Sequence, residues 1–540
     1  MKLNIVDLHA EQIFCGNIHL EENRIARIER LSDTADPSLP YALPGFIDSH
    51  IHIESTLMTP SRFAPVALSH GTLAAVCDPH EIANVLGTEG IDFMIADGRQ
   101  RPFHFHFMAP SCVPSTPFET AGAVLDAKAV AELLQRDDIR GLAEMMNAPG
   151  VLFHDPEVMT KIEACRALGK PIDGHAPGLG GDQALQYISA GISTDHECTT
   201  LEEASERIAM GMKVLIREGS AACDFERLSP LLKNHRDQLM FCTDDKYADE
   251  LREGYIDSIV SRAVAKGLPI WNILRAACLT PVIHYGIRQG LLREGDMADF
   301  IVVDDLRSFH VRESWIEGRC VFGRTPLPKL GSYTEIPNRF SATPIDEESL
   351  RIAIPEGRHN MKVMVASEGS LLTGCEITEA TEPLIRPDRD ILKIVVLNRY
   401  APQAKPAIAF IRGFGLRRGA LASTIAHDSH NIIAIGCDDH SLAVAINHLI
   451  ACQGGIAATD GKHTVSLALP IAGLMSDLDP ESVAQGHLRV KAKAAELGCS
   501  FVAPFMTMAF MALPVIPELK LTDKGLFDGT RFAFTELFCD

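Results

Sequence analysis

The sequence predicts an α/β protein. It would be built on a (β/α)8 barrel, with a small flanking β domain and a C-terminal α+β domain. Three observations carry that expectation. Eight short apolar runs alternate with helical patterns between residues 43 and 291. Polar residues gather at the C-terminal ends of these runs. Short β-like stretches of one texture lie on either side, at residues 1–42 and 292–323.

The flanking pieces come first. Gln12–Cys15 and Arg24–Ile28 are β-like but too few to make a core alone. Ala298–Val303 and Arg319–Phe322 resume the pattern, so the two pieces are expected to pair into one discontinuous domain. Between them the candidate strands are Leu43–His52, Thr72–Asp78, Phe103–Pro110, Gly141–Met146, Pro171–His175, Ser193–His196, Lys213–Arg217 and Leu239–Asp244. Helical stretches such as Asp126–Gln135, Pro156–Leu168, Leu201–Gly211 and Ile256–Lys266 separate them. Strand-helix alternation argues for a parallel sheet. A doubly wound open sheet is the alternative. The polar strand ends favour the barrel, because barrel enzymes carry their sites on that face. Pro326, Pro328, Pro337 and Pro344 mark residues 324–344 as a linker. Residues 345–540 mix strands, such as Ile391–Leu397 and Ile432–Ile435, with helices, such as Ser441–Cys452 and Glu481–Leu497.

Composition narrows the function. A chain of 540 residues is too long for one ordinary domain. Its hydrophobic content of 46% and charged content of 22% fit a globular protein. No apolar run approaches the length of a membrane span. The stretch Met1–Asp7 lacks the features of a signal peptide. The 14 cysteines include no C-x-x-C pair. A cytoplasmic protein without a disulfide framework is therefore expected. A formal net charge of −21 argues against a nucleic-acid partner.

The strand ends carry the chemistry. His50 and His52 lie two apart on a strand and so point to one face. Asp78, Glu144, His175, His196 and Asp244 end other strands. Each alone could be an ordinary buried polar group or a helix cap. Together they suit two divalent ions, with His50, His52, Glu144, His175, His196 and Asp244 as ligands. Imidazole and carboxylate favour Mn, Fe or Zn over Mg or Ca. Glu144, on a central strand, is placed to bridge the pair. The ions would make hydroxide available near neutral pH, and Asp244 could accept its proton.

These residues sit in longer motifs. His50-Ile51-His52-Ile53-Glu54-Ser55, Asp78-Pro79-His80-Glu81, Asp173-Gly174-His175-Ala176-Pro177-Gly178, Asp195-His196-Glu197-Cys198 and His427-Asp428-Ser429-His430-Asn431 are the clearest. The ligand order resembles the amidohydrolase superfamily, and the motifs resemble its bacterial adenine deaminases along essentially the whole chain. Many superfamily members bridge their metals with a carboxylated lysine on the fourth strand; this sequence has Glu144 there. The resemblance implies hydrolysis of free adenine to hypoxanthine and ammonia, two Mn or Fe ions with Zn possible, and a homo-oligomer. Another cyclic C–N hydrolase, or a non-catalytic barrel scaffold, is the alternative; the filled ligand set weighs against the scaffold. Glu144, Asp244 and Asp78 are the candidate catalytic groups. Glu54, Glu81 and His430 are candidate substrate contacts. His427–His430 is either a polar turn or part of a lid over the barrel. The other zinc route to base deamination pairs H-x-E with P-C-x-x-C. His52-Ile53-Glu54 matches only its first half, so that route is rejected.

Overall fold

Eight parallel strands form the centre of the protein, a computed structural model that describes residues 1–324 and 326–540. Five of them, Phe46–Ile51, Thr72–Cys77, His104–Ala109, Ile139–Met145 and Ile172–Gly174, pair in sequence order. Three more, Thr194–Asp195, Lys213–Arg217 and Leu239–Cys242, continue the series. Two seams join the runs. Ser193 N donates to Ile172 O at 2.9 Å. At the other seam Ile51 and Asp244 form a parallel bridge. There Asp244 N donates to His50 O at 2.9 Å, and His52 N donates to Asp244 O at 3.0 Å. The ring is therefore a closed barrel. Its strands read as unbroken apolar runs because helices cover one face and packed side chains the other. Ile47, Val76, Met108, Leu215 and Met240 fill the interior. The helices expected from periodicity are present as Ala127–Leu134, Pro156–Ala167, Leu201–Ala209 and Ile256–Ala265.

One expected strand is divided. Leu43–His52 is not continuous: Tyr41–Leu43 belongs to a neighbouring sheet, and the barrel strand starts at Phe46. Pro44 between them has no N–H to give to a ladder. A side chain at Gly45 would collide with Leu73. The chain uses that pair to step from one sheet into the next. The neighbouring sheet has seven strands, in the order Arg319–Phe322, Val311–Ile316, Phe300–Val303, Tyr41–Leu43, Lys2–Asp7, Gln12–Glu21 and Arg24–Ser32. Both ends of the barrel segment thus enter one sheet. Residues 326–344 contain no helix or strand. Tyr333 within them hydrogen-bonds Thr59 Oγ1 at 2.5 Å and Asp97 Oδ1 at 2.8 Å.

The C-terminal region is built on a nine-stranded, mostly antiparallel sheet. Helix Asp439–Cys452, capped by Asp438 onto Ser441 N, packs Leu442, Ile446 and Leu449 against Val395, Leu397 and Ala434. Helix Pro480–Glu496 starts with the Asp479 cap followed by proline, a favoured opening. This region sits on the ligand-bearing end of the barrel. Ser476 N donates to Leu57 O at 2.9 Å, and Asn431 Nδ2 donates to Thr120 O at 3.0 Å. His487 Nδ1 lies 2.7 Å from Asp249 Oδ1. Among the described residues no helix is long and apolar enough to cross a membrane.

Candidate metal centre and substrate cavity

The two-residue spacing at the end of the first strand has the effect that strand geometry demands. His50 and His52 aim at one point, with their Nε2 atoms 3.2 Å apart. Both are buried. His52 Nδ1 lies 3.1 Å from the Asp78 carbonyl oxygen, which can only accept. The ring proton therefore sits on Nδ1, and Nε2 offers a lone pair. Asp244 Oδ1 is 3.1 Å from His52 Nε2 and 3.4 Å from His50 Nε2. It is aimed there by a left-handed backbone conformation, φ +57°, that Asp tolerates better than most residues.

Glu144 joins the two halves of the cluster. Its Oε1 is 3.3 Å from His52 Nε2. Its Oε2 is 2.8 Å from His175 Nδ1 and 3.3 Å from His196 Nε2. The rings of His50 and His196 stack at 4.2 Å. All six expected ligands thus meet in one buried nest. Beside it lies a small cavity, walled on the barrel side by Glu144, Asp244, His80 and Glu81. Its roof comes from the C-terminal region: Leu371, His427, Asp428, Phe510 and Ile516. His427 stacks on Phe510 at 4.4 Å.

The comparisons with known proteins agree with this arrangement. Residues 41–321 match the amidohydrolase family, and residues 373–533 match the adenine deaminase C-terminal domain. A protein of Salinibacter ruber named adenine deaminase is 50% identical, over 99% of this chain and 98% of that one. Adenine deaminases of Methanosarcina mazei and Borreliella burgdorferi are 48% and 43% identical, each over 99% of both chains. The chain belongs to the adenine deaminase family, within the amidohydrolases.

Membership in the amidohydrolases implies divalent metal, and the nest of this chain fits it. Two carboxylate oxygens, Asp244 Oδ1 and Glu144 Oε1, crowd a lone pair on His52 Nε2. Such convergence of acceptors calls for a cation. Glu144 turns one oxygen to each set of imidazoles, as a bridging carboxylate must. His175 Nε2 is buried with no hydrogen-bond partner among the described residues. The nitrogen and oxygen donors suit Mn, Fe or Zn. Burial would raise the Glu144 carboxyl, but His175, His196 and His52 hold it well below the usual range. Burial acts likewise on Asp244, and the neighbouring His50 and His52, with the charges of His196 and Arg217, overcome it.

The other expected residues divide. Glu81 lines the cavity, with Oε1 2.7 Å from His427 Nδ1 and Oε2 paired to His430 Nε2. Asp78, Glu54 and His430 do not line it and stand one layer back. Asp78 Oδ2 is 2.9 Å from His80 Nδ1, and its Oδ1 accepts His80 N at 3.1 Å, so its carboxylate is spent on orienting His80. Glu54 turns inward on the short helix Ile53–Thr56 and accepts Ile82 N at 3.2 Å; burial raises it to about 7. His430 is wholly buried behind Glu81, and burial lowers it to about 4.

Sequence reasoning gave no role to three groups. His80 Nδ1 is 3.5 Å from Glu144 Oε1, and its place just past a strand end could have revealed it. Glu197 Oε1 is 3.4 Å from His196 Nε2 and follows that ligand directly. Arg217 ends a barrel strand, but arginine binds no metal and drew no attention. Asp428 lies far along the chain from the barrel, but the polar cluster 427–430 that holds it is expected as a turn or a lid, and the structure places it in the cavity roof.

Proposed function

We propose that the protein hydrolyses free adenine to hypoxanthine and ammonia at a site holding two divalent ions. His50, His52, His175, His196, Glu144 and Asp244 would hold them, with Glu144 between. Bound ions of this class supply Lewis acidity and a water acidified for attack near neutral pH. Ligand softness makes Mn or Fe our choice, with Zn next.

The side chains then have distinct tasks. Asp244 Oδ1 faces the nest and can take the proton of the attacking water, then return it to the departing amine. Arg217 occupies the other oxygen of Asp244, at 3.0 Å, and so keeps Oδ1 as the working atom. His80, oriented by Asp78, faces the cavity and can serve the ring nitrogen that gains a proton. Glu81 forms a fixed anionic wall, with Glu54 and His430 supporting the backbone and carboxylate around it. The roof of Phe510, Leu371 and Ile516 keeps bulk water out.

The observation that carries this reading is the position of Glu144, one oxygen toward His52 and the other toward His175 and His196. The test is ammonia release from a panel of purines and cyclic amidines, on protein loaded with Mn, Fe or Zn and assayed for metal. Adenine should be the best substrate, and adenosine should be poor. Equal turnover of adenine and adenosine would refute the free-base assignment. We place the enzyme in the cytoplasm, a reading supported by 14 unpaired cysteines. We also propose a homo-oligomer on the family resemblance, which light scattering would test.

A further inference from the structure

We propose that Asp428, supplied by the C-terminal region, accepts the free ring N–H of the substrate's five-membered edge and thereby selects against N9-substituted purines. This rests on the reading of the site as one for a free heterocyclic base. Asp428 lines the cavity and is 2% exposed. Its Oδ1 lies 3.9 Å from His80 Nε2 and 3.8 Å from His427 Nδ1. Its Oδ2 is buried and has no hydrogen-bond partner among the described residues. Leaving such an atom unpaired is costly, and a donor arriving with the ligand removes that cost.

The neighbouring carboxylates are already engaged. Both oxygens of Glu81 face histidines. One oxygen of Asp245 accepts from Ser55. Glu144 and Asp244 belong to the metal nest. Asp428 Oδ2 therefore offers a buried acceptor that no histidine or hydroxyl faces at close range. It also stands at the right remove: the His80 ring lies between it and Glu144, 3.5 Å from Glu144 Oε1 at one nitrogen and 3.9 Å from Asp428 Oδ1 at the other. A planar bicycle with its reacting carbon at the nest would lie along the His80 ring and bring its five-membered edge toward Asp428. A ribose or methyl group on the ring nitrogen would leave Oδ2 unpaired.

The experiment compares adenine with 9-methyladenine on metal-replete protein, by kcat/KM and by calorimetric binding. Wild type should disfavour 9-methyladenine by about 10⁴-fold. Asp428→Ala should lose adenine efficiency and bring the ratio to within about tenfold, with metal content unchanged. Asp428→Asn keeps a weaker acceptor at nearly the same volume and should fall between, which covers a poorly folding alanine variant. Wild type that treats both bases alike would overturn the proposal. So would variants that lose activity yet keep the wild-type ratio. Binding separates this claim from the reaction itself. If wild type binds adenine more tightly than 9-methyladenine, the alanine variant does not, and neither base is turned over, then the deamination reading fails and the role of Asp428 stands.

Discussion

Arg217 Nη1 donates to Asp244 Oδ2 at 3.0 Å, on the side of the carboxylate turned away from His50 and His52. The same guanidinium meets both oxygens of Glu197, and its Nε reaches Asp224 Oδ2 at 3.2 Å. One buried cation thus serves three buried carboxylates. Removing one partner of such a group costs about 3–5 kcal/mol, because the other charges stay buried and uncompensated. Arg217→Met should lower stability by that amount, measured by denaturant unfolding. Arg217→Lys should recover only part of it, since an ammonium keeps the charge but lacks the planar fork that reaches Glu197, Asp244 and Asp224 from separate nitrogens. An unfolding midpoint for Arg217→Met equal to that of wild type would contradict this account.

Glu144→Gln removes the charge that faces both sets of imidazoles while keeping the volume. The variant should retain fewer than two metal equivalents, and its turnover should fall by at least about 10³-fold, judged against the losses seen on removing a catalytic electrostatic group. Metal analysis by mass spectrometry checks the first part and ammonia release the second. Full occupancy with undiminished turnover would rule out the bridge.

The seat of the C-terminal region on the barrel depends in part on Asp249, whose Oδ1 meets His487 at 2.7 Å and whose Oδ2 meets Lys491 at 3.3 Å. Burial acts to raise this carboxyl, but His487 and Lys491 bring it down from 3.8 to about 2. A depressed carboxylate contributes stability that is present above the unfolded pKa and lost as pH falls through the folded one. That window runs from about pH 4 down to about pH 2, and the contribution is about 2 kcal/mol. Asp249→Asn should therefore be less stable than wild type at pH 6, and the gap should close in acid. A gap that persists unchanged at pH 3 and below would exclude the ionic origin.

Lys520 is a different kind of buried charge. Among the described residues it has no carboxylate partner; its Nζ donates to Leu371 O at 3.0 Å and Phe510 O at 2.9 Å, the backbones of two roof residues. Burial lowers it from 10.5 to about 7. Between those values the unfolded chain binds the extra proton, so this group makes stability rise with pH from about 7 toward 10.5. Relative to Lys520→Met, wild type should gain up to about 1.4 kcal/mol per pH unit in that window. Unfolding midpoints of the two proteins at pH 7, 8 and 9 provide the check. A constant difference would show that the lysine stays charged.

Much of the barrel was legible because strand ends are local. Apolar runs of the right length gave all eight strands, and the polar residues at or near the ends of most of them gave all six nest residues. The error at Leu43 had a local cause too: Pro44-Gly45 interrupts the run, and that pair deserved more weight than the apolar neighbours on either side. Asp78, Glu54 and His430 illustrate a different limit. Sequence placed them near the site, but which way each carboxylate or ring turns depends on partners such as His80 and the Ile82 backbone. Phe510 was out of reach for a third reason. Its contact with the barrel is set by how two regions pack, and no period of 2 or 3.6 residues encodes that, whereas Asp428 lies in the polar cluster 427–430 whose lid reading the cavity roof bears out.

The seam between Ile51 and Asp244 also bears on how the protein is born. The first-strand histidines leave the ribosome early, while Asp244, which hydrogen-bonds to them through its backbone, is made roughly ten to forty seconds later at ordinary elongation rates. Until then the nascent chain has no closed ring to impose a geometry on an ion. His50 and His52 alone could at most hold a metal loosely and without choice. Selection of the ion therefore falls to the finished barrel, after synthesis has passed residue 244, and the roof that seals it arrives later still with residues 371–516.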